Sequence, residues 1–213
     1  IESMLRVGET DVAAGKLRVL LEPYAGEGGI LPARFLTASS GDIALGGWDD
    51  LGKRIRQYDR PNHHISAVSL TVTAPGDGKA KPGEGGGISP SIETNFYSDD
   101  AYPFSDATRD DLLDGYSNYG SEWQGNFEQT DTTLTVTGID DLFGAIATLE
   151  ARLVNCNSPN ADEICAGSLG ACYLAVLVHQ AIRDKIRTDG LPRALCVFAG
   201  DNGVYPFFDA PVV

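Results

Sequence analysis

Thr132-Thr133-Leu134-Thr135-Val136-Thr137-Gly138-Ile139-Asp140-Asp141-Leu142-Phe143-Gly144-Ala145-Ile146 changes its apolar period halfway along, and that change decides the fold class. Residues 132–137 alternate threonine with Leu134 and Val136, the pattern of a half-buried strand, and Gly138 ends it. From Ile139 onward Leu142, Phe143, Ile146, Leu149 and Leu153 recur at steps of three and four, which predicts an amphipathic helix over 139–154. Asp140 and Asp141 then fall in its first turn, where carboxylates complement the exposed amides; adjacent helical residues diverge by about 100°, so this pair is not expected to hold a metal.

The same turn has a partner upstream. Gly47-Trp48-Asp49-Asp50-Leu51-Gly52-Lys53-Arg54-Ile55 shares its glycine, both aspartates, its leucine and the final isoleucine with Gly138 to Ile146. Tyr102-Pro103-Phe104-Ser105-Asp106-Ala107 matches Tyr205-Pro206-Phe207-Phe208-Asp209-Ala210 in the same order along the chain. We read the two pairs as an internal duplication, at about 34–107 and 128–210, within one compact domain over 4–213.

Around these anchors the first unit is expected to hold a helix at 48–58, stopped before Pro61, a strand at 65–74 carrying Val68, Leu70 and Val72, and a strand at 91–98. Residues 75–90, with six glycines and three prolines, read as a flexible loop; without a Gly-Lys-Ser/Thr ending and a following helix they are not a phosphate loop. The second unit is expected to continue with a helix at 168–188, a core strand at 193–199, a turn at Gly200 to Gly203 and a strand at 204–208 that Pro206 confines to a sheet edge. Lys16 to Leu21 and Arg34 to Ala38 are further strand candidates. The fold class that follows is α+β, a mixed or largely antiparallel sheet with helices mainly on one face.

The 213-residue chain carries 30 acidic against 16 basic residues, a net charge of -14, which repels nucleic-acid phosphates. The longest apolar run, Leu169 to Val178 interrupted by Gly170, is shorter than the roughly 18–20 residues of a span, so no membrane partner is expected. Met4, the only methionine, is read as the native start, which predicts a cytoplasmic protein; a mature secreted domain is the alternative. Cys156, Cys165, Cys172 and Cys196 have no zinc or redox spacing. Cys172 and Cys196 lie in apolar runs as small hydrophobes, whereas Cys156 and Cys165 flank a polar loop and are free thiols unless the compartment is oxidising.

The acids are concentrated. Residues 89–141 hold twelve of them against the single base Arg109, together with eight aromatic side chains. Carboxylates raise the association rate with a cationic partner and aromatic rings supply desolvated anchors, so the segment reads as a recognition surface. The residues expected to bind are Tyr97, Asp99, Asp100, Tyr102, Phe104, Asp106, Asp110, Asp111, Asp114, Tyr116, Tyr119, Glu122 and Trp123. The plainer reading is that the acids solvate a face whose rings fill the core beneath.

No motif identifies a reaction, and neither a cofactor nor a metal is expected. The aspartates lack the alternate-residue spacing of a calcium loop. His63-His64 reads as a solvated turn, His179 as a core histidine, and Ser168 is no hydrolase nucleophile, since no strand precedes it and no histidine follows suitably. The leading expectation is therefore an acidic module, inhibitor-like or immunity-like, that masks a basic site on a protein partner. A metal-dependent hydrolase using clustered aspartates with His63 or His64, and a homo-oligomeric structural protein, are the alternatives.

Overall fold

The computed structural model describes Met4 and residues 8–58, 61, 65–73, 91–98, 127–189, 194–200 and 203–208. The chain enters through helix α1 (Thr10–Leu21), two 3-10 turns (Ala33–Leu36 and Ser40–Asp42), strand β1 (Ala44–Gly46) and helix α2 (Trp48–Tyr58). Strands β2 (Ile65–Thr73), β3 (Ser91–Ser98) and β4 (Phe127–Thr137) follow, then helices α3 (Asp140–Val154) and α4 (Ala161–Asp189), and strands β5 (Ala194–Gly200) and β6 (Gly203–Phe208). The predicted loop at 75–90 lies outside the described residues.

The strands form one sheet in the order β1-β4-β3-β2-β5-β6. β2, β3 and β4 are an antiparallel meander, β1 is antiparallel to β4, and the β5-β6 hairpin joins through a parallel β2-β5 pair. The protein is thus α+β with a mixed sheet. Pro206, opposite Val197, sits on the edge strand β6, where its missing N–H costs no ladder bond on the open side.

One face of the sheet is closed by helices. Val68, Leu70, Ile92, Phe96, Leu134 and Val136, alternate residues of three neighbouring strands, share a core with the helices, while Thr135 and Thr137 are exposed. α4 runs through that core. Every residue from Tyr173 to Ile182 is buried. By length and hydropathy alone α4 could cross a membrane, but 67% of its most apolar window is buried within the protein, so most of that window is packed against neighbouring elements. α3 packs on α4 at two glycines, Gly167 against Leu149 and Gly170 against Ile146, where larger residues would hold the helices apart.

The two Gly-x-Asp-Asp-Leu stretches make the same local turn. Gly47 and Gly138 have φ of +84° and +97°, a conformation glycine adopts without strain. The next residue, Trp48 or Ile139, is buried, the aspartates occupy the first helical turn, and Leu51 or Leu142 enters the core. Because β1 and β4 are antiparallel, pairing Ala44 with Thr137 and Gly46 with Thr135, α2 and α3 leave from opposite ends of one two-strand ladder. This shared task accounts for the sequence match locally.

Three expectations need correction. Lys16–Leu21 is the second half of α1, not a strand: Thr10, Ala13, Ala14, Leu17 and Leu21 form a buried helical stripe, and Val19, which an alternating strand would bury, is 61% exposed. Arg34–Ala38 is a 3-10 turn after Pro32, in which the Arg34 carbonyl accepts from the N–H groups of Thr37 and Ala38 at 3.1 and 2.9 Å. The helix expected from 168 begins at Ala161, where Asn160 Oδ1 accepts the Asp162 N–H at 3.0 Å and Asp162 and Glu163 occupy the first turn. Cys165 is therefore helical.

Candidate functional site

Of the residues expected to bind a partner, Tyr97 lies in β3, paired in register with Phe127 of β4. Asp99, Asp100, Tyr102, Phe104, Asp106, Asp110, Asp111, Asp114, Tyr116, Tyr119, Glu122 and Trp123 lie outside the described residues, as do His63 and His64. The sheet nevertheless fixes where their segment is rooted. β3 ends at Ser98, β4 begins at Phe127, and the two strands are hydrogen-bonded neighbours. Residues 99–126 connect them, where a hairpin ordinarily needs roughly two to five residues.

The chemistry of the described residues gathers instead along the seam between α1 and α4. The helices run antiparallel, so Asp11, Ala14 and Arg18 meet Gln180, Leu177 and Tyr173 in turn. At one end Arg183 donates to the Gly8 carbonyl at 2.5 Å and to Thr10 Oγ1 at 3.1 Å. One turn on, Gln180 Nε2 donates to Asp11 Oδ1 at 2.6 Å. At the far end Tyr173 donates its hydroxyl proton to the Ala38 carbonyl at 2.7 Å. The same hydroxyl accepts from Arg18 Nε and Nη2 at 3.2 and 3.0 Å, and Arg18 Nη2 also reaches the Ala38 carbonyl at 3.3 Å. The guanidinium carbon lies 5.9 Å from the Tyr173 ring centroid. These bonds hold a half-buried arginine in one orientation.

Above the seam is a recess of about 240 Å³, lined by Asp11, Ala14, Gly15, Arg18, Ser39, Ser40, Leu177 and Gln180. Its outer wall is the Ser40–Asp42 turn, which Asp42 stabilises by accepting from the Ser39 N–H at 2.8 Å and the Ser39 hydroxyl at 3.1 Å. These two donors, with the more distant Arg34, keep the Asp42 carboxyl below its usual pKa. Sequence reading missed all of these residues. Arg18 and Tyr173 are 155 positions apart and Asp11 and Gln180 are 169 apart, so no local pattern connects them.

The other sequence candidates are placed as follows. His179 is buried in α4, and desolvation, with Arg183 adding to it, pushes its pKa down to about 3, so it is neutral at ordinary pH. Ser168 is exposed on the second turn of α4. Asp140 accepts the Gly138 N–H at 2.9 Å, and Asp141 pairs with Arg34, which also donates to the Gly138 carbonyl at 2.6 Å; both aspartates serve the helix entry. Cys156 and Cys165 are exposed free thiols, and Cys172 is half-buried with its thiol pKa raised by desolvation. Among the described residues no three His, Cys, Asp or Glu side chains converge as metal ligands.

Fold and seam together define an α+β protein with a six-stranded mixed sheet, one layer of helices and a small polar recess between two of them. The chain matches no known protein family, no curated protein and no solved structure.

Proposed function

We propose that the protein is a non-enzymatic binding module whose segment 99–126 covers a basic site on a protein partner, as an inhibitor or immunity protein would. The observation that carries this reading is the register of β3 with β4. Tyr97 pairs with Phe127, so a long segment is inserted between strands that a tight turn would have joined. Connections of that length in compact domains are uncommon and are often binding elements. Between residues 99 and 126 the sequence places seven carboxylates against Arg109, with Tyr102, Phe104, Tyr116, Tyr119 and Trp123 among them. Negative charge of that density accelerates encounter with a cationic surface, and the rings supply the contacts that slow dissociation.

The test uses the immobilised full chain beside a variant in which Asp99, Asp100, Asp106, Asp110, Asp111 and Asp114 are replaced by asparagine. The expected result is a basic protein partner retained by the native chain at low salt, released as salt rises, and not retained by the neutralised variant. Equal retention by the two chains, or retention indifferent to salt, overturns the reading.

One observation favours a second reading. Ile65 and Ser98 are register partners, His63-His64 immediately precede the first and Asp99-Asp100 immediately follow the second, which suits a divalent metal hydrolase. Stoichiometric divalent metal in the purified chain, lost on replacing both histidines with alanine, would favour it over the binding module; metal-free protein removes it.

A further inference from the structure

We propose that the recess between α1, α4 and the Ser40–Asp42 turn binds a compact zwitterion, a small molecule with one carboxylate and one ammonium group. The recess is chemically divided. On one side Arg18 uses Nε and Nη2 on Tyr173 and Ala38, which fixes the guanidinium plane and leaves Nη1 without an acceptor among the described residues. No carboxylate among the described residues pairs with this arginine, and the half-buried Ser40 hydroxyl beside it has no described partner either. These are the donors a carboxylate would take.

On the other side stand acceptors. Asp11 has one oxygen bonded to Gln180 Nε2, and its second oxygen receives no donor from the described residues. Gln180 is only 7% exposed, and with its amide nitrogen engaged its carbonyl oxygen has no described donor. A carboxylate and an amide oxygen together suit an ammonium group. Between the two ends the floor is apolar, made by Ala14 and Leu177 with Gly15 at the rim.

Size and net charge point the same way. A recess of about 240 Å³ falls below the range of roughly 300–1,000 Å³ typical for drug-sized ligands, so its occupant is small. A chain of net charge -14 repels a simple anion at long range, whereas a zwitterion carries no net charge and is not repelled. Asp11 and Arg18 are seven residues apart on α1, about 10 Å along the axis, which favours a ligand whose two charges are separated by a short methylene chain.

The experiment is a titration of the ¹⁵N-labelled full chain with glycine, β-alanine, γ-aminobutyrate and 5-aminovalerate, beside acetate and methylammonium, each to about 10 mM. Saturable shifts at Asp11, Arg18, Ser40 and Gln180 with at least one zwitterion, and none with acetate or methylammonium, are expected. Asp11→Asn, which keeps an acceptor for Gln180, is expected to weaken that zwitterion about tenfold or more, and Ser40→Ala about threefold. The proposal is overturned if no zwitterion shifts these residues, if acetate matches the zwitterions, or if Asp11→Asn binds like the native chain.

Discussion

Replacing Gly138 with alanine tests the account of how a strand is turned into a helix here. Two costs add. The backbone stands at φ +97°, where an L side chain is strained by roughly 1–2 kcal/mol. In addition, a methyl group at Gly138 would meet the Asp42 backbone, with the carbonyl carbon 3.2 Å away and the carbonyl oxygen nearer still. Asp42 cannot simply retreat, because its side chain is tied to Ser39 and the chain after it is paired with β4 through Ala44. Displacing a packed backbone adds roughly another 1–3 kcal/mol, so Gly138→Ala is expected to cost about 3 kcal/mol. At about 2–4 °C per kcal/mol for a chain of this size, Tm falls by roughly 6–12 °C. Urea unfolding followed by circular dichroism measures the loss. Gly47→Ala, at φ +84°, is expected to lose about 1–2 kcal/mol from backbone strain. Gly144→Ala, inside α3 with open space around it, is expected to gain about 0.5–1 kcal/mol. A Gly138→Ala protein within about 0.5 kcal/mol of native, or a less stable Gly144→Ala protein, would refute the reasoning.

Two further outcomes probe the seam and the core. Tyr173→Phe removes the hydroxyl that donates to the Ala38 carbonyl and accepts from Arg18; a loss of about 1–3 kcal/mol in urea unfolding is expected, and no loss would mean that Arg18 is held by other contacts. His179 takes a proton in the unfolded chain below pH 6.5 but not in the folded one, whose value is about 3. Stability is therefore flat in this group above pH 6.5 and falls on acidification, by up to about 1.4 kcal/mol per pH unit. His179→Gln is expected to flatten the dependence between about pH 6.5 and 5, and an unchanged slope counts against burial as its cause.

Much of the fold was legible because period and punctuation agree. α2 at 48–58 and β3 at 91–98 have the expected bounds, α3 begins one residue later than expected, and β2 ends one residue sooner. Pro206 correctly marked an edge. The misreadings share a cause. Leu17, Val19 and Leu21 alternate with Lys16 and Arg18 over a window too short to separate the two periods, and only the inclusion of Ala13 and Ala14 reveals the helical stripe. At the start of α4 the buried residues are Ala166, Gly167 and Gly170, too small to register as an apolar face, so the capping signal of Asn160 with Asp162 and Glu163 went unread. Small residues there let α3 approach, and that closeness hid the helix from a pattern built on large side chains.

The two candidate sites were legible to different degrees for the same physical reason. The acidic, aromatic segment is contiguous, so composition alone exposed it; what sequence lacked was the register of β3 with β4, which shows the segment to be an insertion between neighbours. The recess is the opposite case. Asp11 and Arg18 are ordinary surface-type residues on an amphipathic helix, and Tyr173 and Gln180 look like members of a core helix. They acquire chemical meaning only where antiparallel packing sets them opposite one another. Tyr173 also explains why such polar groups persist beside a core. Its ring is buried while its hydroxyl and the Ala38 carbonyl satisfy each other, so Arg18 is held at the boundary with no carboxylate partner among the described residues, and its Nη1 has no described acceptor.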